Sequence, residues 1–309
     1  MLLLGDADRV EILVLMDNYA DVLVPSVPPV KRYVAELSEQ LIAEHGLSLL
    51  IKVFRGDRCR TILMDAGLTR VGVPYNAEKL GVNFREVDFF FLSHGHLDHY
   101  GALEDVLKKI GKPVTFVAHP DVFLPKYVIL PNGNTRGPMI LDPEKLKSLG
   151  AKLMITKSPV QLAPGTTTTG EVERTTDFEK GFPVMYTIKD DKLVRDEILD
   201  DQSLVIRLRK EGLVVISGCA HAGIINTILH AQKITGTKKV YAVIGGFHLS
   251  GAPDTTINKT IEMFREIDPT YIIPMHCTGF KAISRISTEL REKFVLSTVG
   301  MRVILPSPT

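Results

Sequence analysis

The chain has no tryptophan and only three cysteines in 309 residues, Cys59, Cys219 and Cys277. Thiols so few and so scattered cannot staple a small secreted scaffold, and a cytoplasmic location is expected. Charge of one sign is missing too: 37 Lys and Arg face 36 Asp and Glu, leaving +1. That balance offers nothing to attract nucleic acid or an anionic membrane, and neither partner is expected. Long hydrophobic runs are also lacking. The opening run of Met1 to Leu4 meets Asp6 at once, so no signal-peptide core is expected, and no stretch approaches the ~20 apolar residues of a membrane helix. Fixed-period repeats and a Ser/Gly/Pro-rich linker are absent as well, so a single domain over residues 1–309 is expected. What is present is 45% hydrophobic residues, ample for a sizeable core, and nine histidines whose grouping matters most.

Runs rich in Val, Ile and Phe predict strands at 10–15, 47–54, 61–64, 87–92, 114–118, 204–208, 213–217, 240–244, 271–275 and 302–305. Helical periodicity predicts helices at 31–45, 102–110, 143–149, 224–234, 255–267 and 280–291. The first half pairs hairpin-like strands, whereas the second alternates strand and helix, an order that implies strands in the middle and helices outside. Residues 131–138 and 163–170 read as loops, and the charged stretch 189–201 as a solvated hairpin.

The most informative segment is Ser93-His94-Gly95-His96-Leu97-Asp98-His99, directly after the apolar 89–92. At alternate positions of an extended segment His94 and His96 point to one side and can bind one metal. Asp98 and His99, at the turn into a helix, can face a second metal nearby. Imidazole and carboxylate suit zinc, iron or manganese, so ligand type leaves the metal open. Further ligands must come from elsewhere, and three apolar strands each run into a histidine: Ser217-Gly-Cys219-Ala-His221, Gly245-Gly-Phe-His248 and Pro274-Met-His276-Cys277. Active groups past one end of a sheet are expected to converge.

On these motifs the chain resembles the metallo-β-lactamase superfamily, whose hallmark His-x-His-x-Asp-His is matched by His94 to His99. The resemblance implies an α/β fold, a four-layer αββα sandwich with a dinuclear site on one rim. It matches Asp65 of Thr61-Ile-Leu-Met-Asp65-Ala-Gly67 to a residue that braces the ligand loop, and His276 to the last ligand. The middle motifs depart from the family pattern, because residues 120–220 hold no histidine and no aspartate matches the bridging position. His221 is the candidate for the missing imidazole; Cys219 at the bridge and Glu171 from a loop are the weaker candidates. The implied cofactors are two divalent metal ions, zinc first, with iron, manganese or magnesium as alternatives.

The strings around Cys219, His248 and His276 resemble one branch of the superfamily more closely. Those proteins are similar to 7,8-dihydropterin-6-yl-methyl-4-(β-D-ribofuranosyl)aminobenzene 5′-phosphate synthase of tetrahydromethanopterin biosynthesis. The resemblance implies transfer of a pterin methyl group from its diphosphate, with a phosphorylated small-molecule substrate. A metal-dependent hydrolase of a phosphodiester, ester or lactone is the alternative, and a non-catalytic binding protein is the reading of another class. Asp98 and His248 are the candidate catalytic groups; Cys277 is expected to point away from the site if strand alternation continues past His276. Lys126, Arg136 and Arg174 stand either for phosphate contacts or for ordinary surface charge. A homo-oligomer remains open.

Overall fold

Strands that are apolar at nearly every position need cover on both faces, and here two sheets provide it for each other on one side. The computed structural model describes residues 2, 4–34 and 40–307. The first sheet has eight strands in the order Val30–Lys31, Arg302–Leu305, Arg9–Met16, Ser48–Arg55, Arg58–Met64, Phe89–Phe91, Val114–Ala118 and Ala151–Ile155. Its last four strands run parallel. The second has six, Gln161–Ala163, Thr166–Thr168, Ser203–Leu208, Gly212–Ser217, Val240–Gly246 and Tyr271–Met275, and its last three are parallel.

Side-chain alternation sorts the core into layers. Val10, Ile12 and Ile51 meet Val214, Ile216 and Ile273 between the sheets. Their strand neighbours Leu13, Leu15 and Leu63 face outward under the helices Gly72–Lys79, Leu103–Ile110 and Pro143–Ser148. On the other side Leu213, Val215 and Val243 pack under Ile224–Thr235, Asp254–Ile267 and Phe280–Glu289. The result is the four-layer αββα sandwich, as the sequence implied. Among the described residues no helix is long and apolar enough to cross a membrane.

A third, four-stranded sheet stands apart in the order Lys192–Arg195, Met185–Lys189, Lys126–Ile129, Thr135–Met139. Apart from Lys192–Arg195, which falls within the hairpin read at 189–201, none of these strands is among those the sequence predicts. Residues 131–138 contribute a strand rather than a loop only, and 163–170 carry the strand Thr166–Thr168. The charged stretch begins in a hairpin, as expected, with Lys189 opposite Lys192.

The expected helix at 31–45 does not form in its described parts. Lys31 belongs to a strand, and 32–34 and 40–45 have no regular structure, while 35–39 lie outside the described residues. Asn76, buried in the helix Gly72–Lys79, captures this backbone instead: its amide donates to the Ile42 carbonyl and its side-chain oxygen accepts from the Ile42 N–H. A residue whose backbone is paired to a side chain cannot also serve an i→i−4 ladder.

Candidate functional site

Ligand sites in open α/β sheets lie past the carboxyl ends of the parallel strands, and five such ends meet here. Arg58–Met64 runs into Asp65, Phe89–Phe91 into His94, Gly212–Ser217 into Cys219 and His221, Val240–Gly246 into His248, and Tyr271–Met275 into His276. The connecting backbone is held in unusual conformations: Asp65, Ala220, His248 and His276 all have φ between 46° and 60°. Left-handed backbone at residues with a Cβ costs of order 1–3 kcal/mol each and persists where surrounding packing over-determines it.

Two clusters result. In the first, His94 Nε2 lies 2.9 Å from His96 Nδ1 and 3.2 Å from His221 Nε2. His94 Nε2 carries either one proton or one lone pair, so it cannot make a full, linear hydrogen bond to both neighbours, whereas a cation among the three nitrogens would be bound by all of them. In the second, Asp98 Oδ2 is 3.1 Å from His276 Nε2 and 3.7 Å from His99 Nε2. Cys219 Sγ joins both, 3.2 Å from His99 Nε2 and grouped with His94 and His221 as well as with His99 and His276. Donor atoms of a tetrahedral ion with bonds of 2.0–2.1 Å stand roughly 3.3 Å apart, close to the spacings observed.

The remaining ring nitrogens show how the donor atoms are aimed. His99 Nδ1 donates to Asp65 Oδ2 at 2.6 Å, and Asp65 also accepts from the Ser93 N–H and hydroxyl. His94 Nδ1 contacts the Ser93 hydroxyl at 2.9 Å, and His276 Nδ1 contacts Asn18 Oδ1 at 3.0 Å. Each of these bonds leaves Nε2 free to face the clusters. Among the described residues the buried His96 Nε2 and His221 Nδ1 have no hydrogen-bond partner.

Electrostatics separates the clusters. Burial, and then the neighbouring imidazoles, hold His94 and His221 well below the ordinary imidazole range; burial pushes His96 down to about 4. Neutral imidazoles are what a metal needs. On the other side Asp98 is depressed: burial opposes this, but His99 and His276 outweigh it. His99 is raised to about 9, burial notwithstanding, by Asp98 and Asp65. A place that attracts a proton this strongly onto an imidazole has room, electrostatically, for a cation in its stead. Burial raises the Cys219 thiol well above its usual value, so it stays neutral without a cation beside it.

Of the residues singled out in the sequence, His94, His96, Asp98, His99, His221, His276 and Cys219 are brought together, and Asp65 sits directly behind them. His248 stacks near His221, ring centroids 4.1 Å apart. Glu171 is not among them: its carboxylate faces His119 at 3.3 Å and Lys157 at 3.5 Å. Cys277 does not point away. The strand ends at Met275, and the left-handed turn at His276 resets the alternation, so that Cys277 Sγ comes within 3.7 Å of the Cys219 carbonyl. Lys126 is fully buried between Asp196 at 2.8 Å and Asp200 at 3.0 Å rather than at the surface.

Several residues at the site were not predicted. His45, expected in a helix, reaches Asp98 Oδ2 at 3.4 Å. Asp17 Oδ1 accepts from the His276 N–H, and Asp200 Oδ2 from the Gly95 N–H between the two leading histidines. No local pattern marks them, because each acts across more than 50 residues of chain. The clusters open into a cavity of about 800 Å³, lined on its outer side by the third sheet.

Comparison with known proteins shows the family and the fold. Residues 46–227 match the metallo-β-lactamase superfamily. The chain is 32% identical over 295 residues, 94% of its length and 95% of the relative's, to 7,8-dihydropterin-6-methyl-4-(β-D-ribofuranosyl)-aminobenzene-5′-phosphate synthase of Methanocaldococcus jannaschii. A solved metal-dependent hydrolase of the β-lactamase superfamily superposes with a TM-score of 0.73 at 25% identity, covering 95% of this chain and 98% of that one. The metallo-β-lactamase-fold protein YhfI of Bacillus subtilis follows the same fold, with a TM-score of 0.53 at 13% identity and coverage of 96% and 100%. Fold, motif and ligand-type clusters agree, and the chain belongs to the metallo-β-lactamase superfamily.

Proposed function

We propose that this chain is a metal-dependent transferase that moves a dihydropterin methyl group from its diphosphate to a (β-D-ribofuranosyl)aminobenzene 5′-phosphate, acting as one catalytic domain. The observation that carries the reading is the pair of ligand clusters joined at Cys219 and open to one large cavity. The full-length likeness to the Methanocaldococcus jannaschii synthase supports the choice of substrates. His94 Nε2, His96 Nδ1 and His221 Nε2 would hold one divalent ion, zinc first among the candidates, and Asp98, His99 and His276 a second, with Cys219 between them. When bound, such ions supply concentrated positive charge for a departing diphosphate, or Lewis acidity toward water in a hydrolase.

The chain's own residues do the positioning. Asp65, Ser93 and Asn18 fix the ring orientations of His99, His94 and His276. The buried rim excludes bulk water, which strengthens every charge interaction within it. His248, at the cavity wall beside Cys219 and Cys277, would take the proton released by the aminobenzene nucleophile.

The likeness to a metal-dependent hydrolase favours a second reading, hydrolysis at the same site. Purified protein incubated with the dihydropterin diphosphate and the aminobenzene phosphate should yield the joined product by mass spectrometry only when both are present. Consumption of the diphosphate at the same rate without the acceptor would replace the transferase by the hydrolase.

A further inference from the structure

Three cations stand out in the sequence as phosphate contacts, and the fold leaves one of them available. Lys126 is committed to two buried carboxylates, and Arg174 is engaged by Glu197 through both its carboxylate and its carbonyl. Arg136 pairs through its backbone in the strand Thr135–Met139 of the third sheet, but its guanidinium has no ion pair or hydrogen bond among the described residues, and it is the one lysine or arginine found among them lining the cavity.

The surroundings of Arg136 are suited to a particular ligand. Beside it in the strand, Gly137, φ 118°, lets the backbone come so near its neighbour that a Cβ there would lie 2.7 Å from the Lys126 carbonyl, which keeps Thr135–Met139 close against Lys126–Ile129. Beside it the cavity wall is apolar, formed by Pro138, Met139, Phe182 and Met185. A guanidinium without a counter-ion, set against apolar and aromatic walls, matches a ligand with a flat apolar body and an anionic end. Its planar fork binds phosphate through two parallel N–H···O bonds. The cavity, about 800 Å³, is large enough for a drug-sized ligand to be mostly enclosed.

From this placement we infer that Arg136 is a specificity residue, the anchor for the phosphate of a substrate that joins a phosphate monoester to an aromatic body, and that the third sheet is the wall that selects that body. The inference deepens the transferase reading and rests on it for the identity of the natural substrate. The anchor's attachment is itself legible: Lys126, on the strand paired with that of Arg136, is tied to Asp200, whose second oxygen holds the Gly95 N–H. The sheet that carries the anchor is thereby fastened to the histidine loop.

Titration calorimetry with phenyl phosphate and, separately, inorganic phosphate tests the assignment on the full chain, in the wild type, Arg136→Met, Arg136→Lys and a His94→Ala/His96→Ala variant. Phenyl phosphate should bind wild type more tightly than inorganic phosphate does. Arg136→Met should weaken it at least about tenfold without a change in melting temperature, since the side chain has no partner to lose, and Arg136→Lys should recover part of that loss. In the double variant a dependence on Arg136 should persist. Binding by Arg136→Met within twofold of wild type, or equal affinity for the two probes, would overturn it. If no joined product forms but binding of phenyl phosphate still depends on Arg136, the transferase reading fails and the anchor stands.

Discussion

The histidine rim and the third sheet face the same cavity but are secured in opposite ways. The rim stands at the ends of strands buried on both faces; Asp65, Ser93 and Asn18 hold the rings of His99, His94 and His276, and Asp17 holds the His276 backbone N–H from the far end of the chain. The third sheet has exposed strands: no residue of Thr135–Met139 or Lys192–Arg195 is buried. Its main internal tie is one buried cation, Lys126, between two carboxylates. The contrast separates two tasks. On the proposed reading, ligand atoms must be placed to fractions of an ångström and sit on the rigid scaffold, whereas a specificity wall tolerates, and benefits from, a surface that can vary without disturbing the core.

The largest effect expected from breaking this comparison is at the rim. The double variant His94→Ala/His96→Ala should lose bound metal, measured by plasma mass spectrometry, and lose activity by more than about 100-fold, beyond the range typical of residues that only support ligands. Retention of metal in that variant would remove the first cluster as a metal site.

Next is the tie of the third sheet. Lys126→Met leaves two buried carboxylates without a cation and should destabilise the fold by about 3–5 kcal/mol in urea denaturation at pH 7. Lys126 holds Asp200 below the ordinary carboxylate value of 3.8, although burial opposes it, and Lys126 is itself raised above 10.5 by the same carboxylates against the effect of burial. The carboxylate's contribution is therefore present above pH 3.8 and fades as pH falls through its lower folded value. The lysine's contribution is present below pH 10.5 and fades as pH rises through its higher one. The penalty of Lys126→Met should accordingly be flat near neutrality and shrink in acid; a penalty that grows on acidification would contradict the pairing.

A milder change at the rim is Asp65→Asn. Asparagine tolerates the left-handed backbone at φ 60°, so the fold should survive while the charge behind His99 is lost. Metal affinity should drop about 10- to 100-fold by competition with a chelator. The smallest effect belongs to the exposed side of the third sheet. Arg195 and Glu197 pair at 3.6 Å with both side chains about half exposed, and Arg195→Ala should change stability by no more than about 1 kcal/mol.

The readability of each region from sequence follows the same division. Strands apolar on both faces, such as Gly212–Ser217 and Val240–Gly246, announce themselves because burial on two sides leaves an unbroken hydrophobic run. The histidine motif and the strand-end histidines are legible because one short loop carries its donors at fixed spacing. The third sheet is not, since exposed edge strands with Gly137 and Pro138 inside them carry no period-two pattern. His45 was hidden by a helical periodicity that Asn76 overrides, and Cys277 by a turn that strand alternation cannot foresee.

By itself, then, the amino-acid sequence determined the strands inside and helices outside and the donors most suited to a metal, because hydrophobic periodicity and ligand chemistry are local properties written within a few residues; the four-layer sandwich followed from the family resemblance that those motifs carry. Tertiary structure alone decided that His45, Asp17 and Asn18 join the site, that Glu171 stays out of it, that Lys126 is buried and Arg136 free. Those outcomes depend on which segments, tens or hundreds of residues apart, end up within a hydrogen bond of one another, and only the packed fold sets those distances.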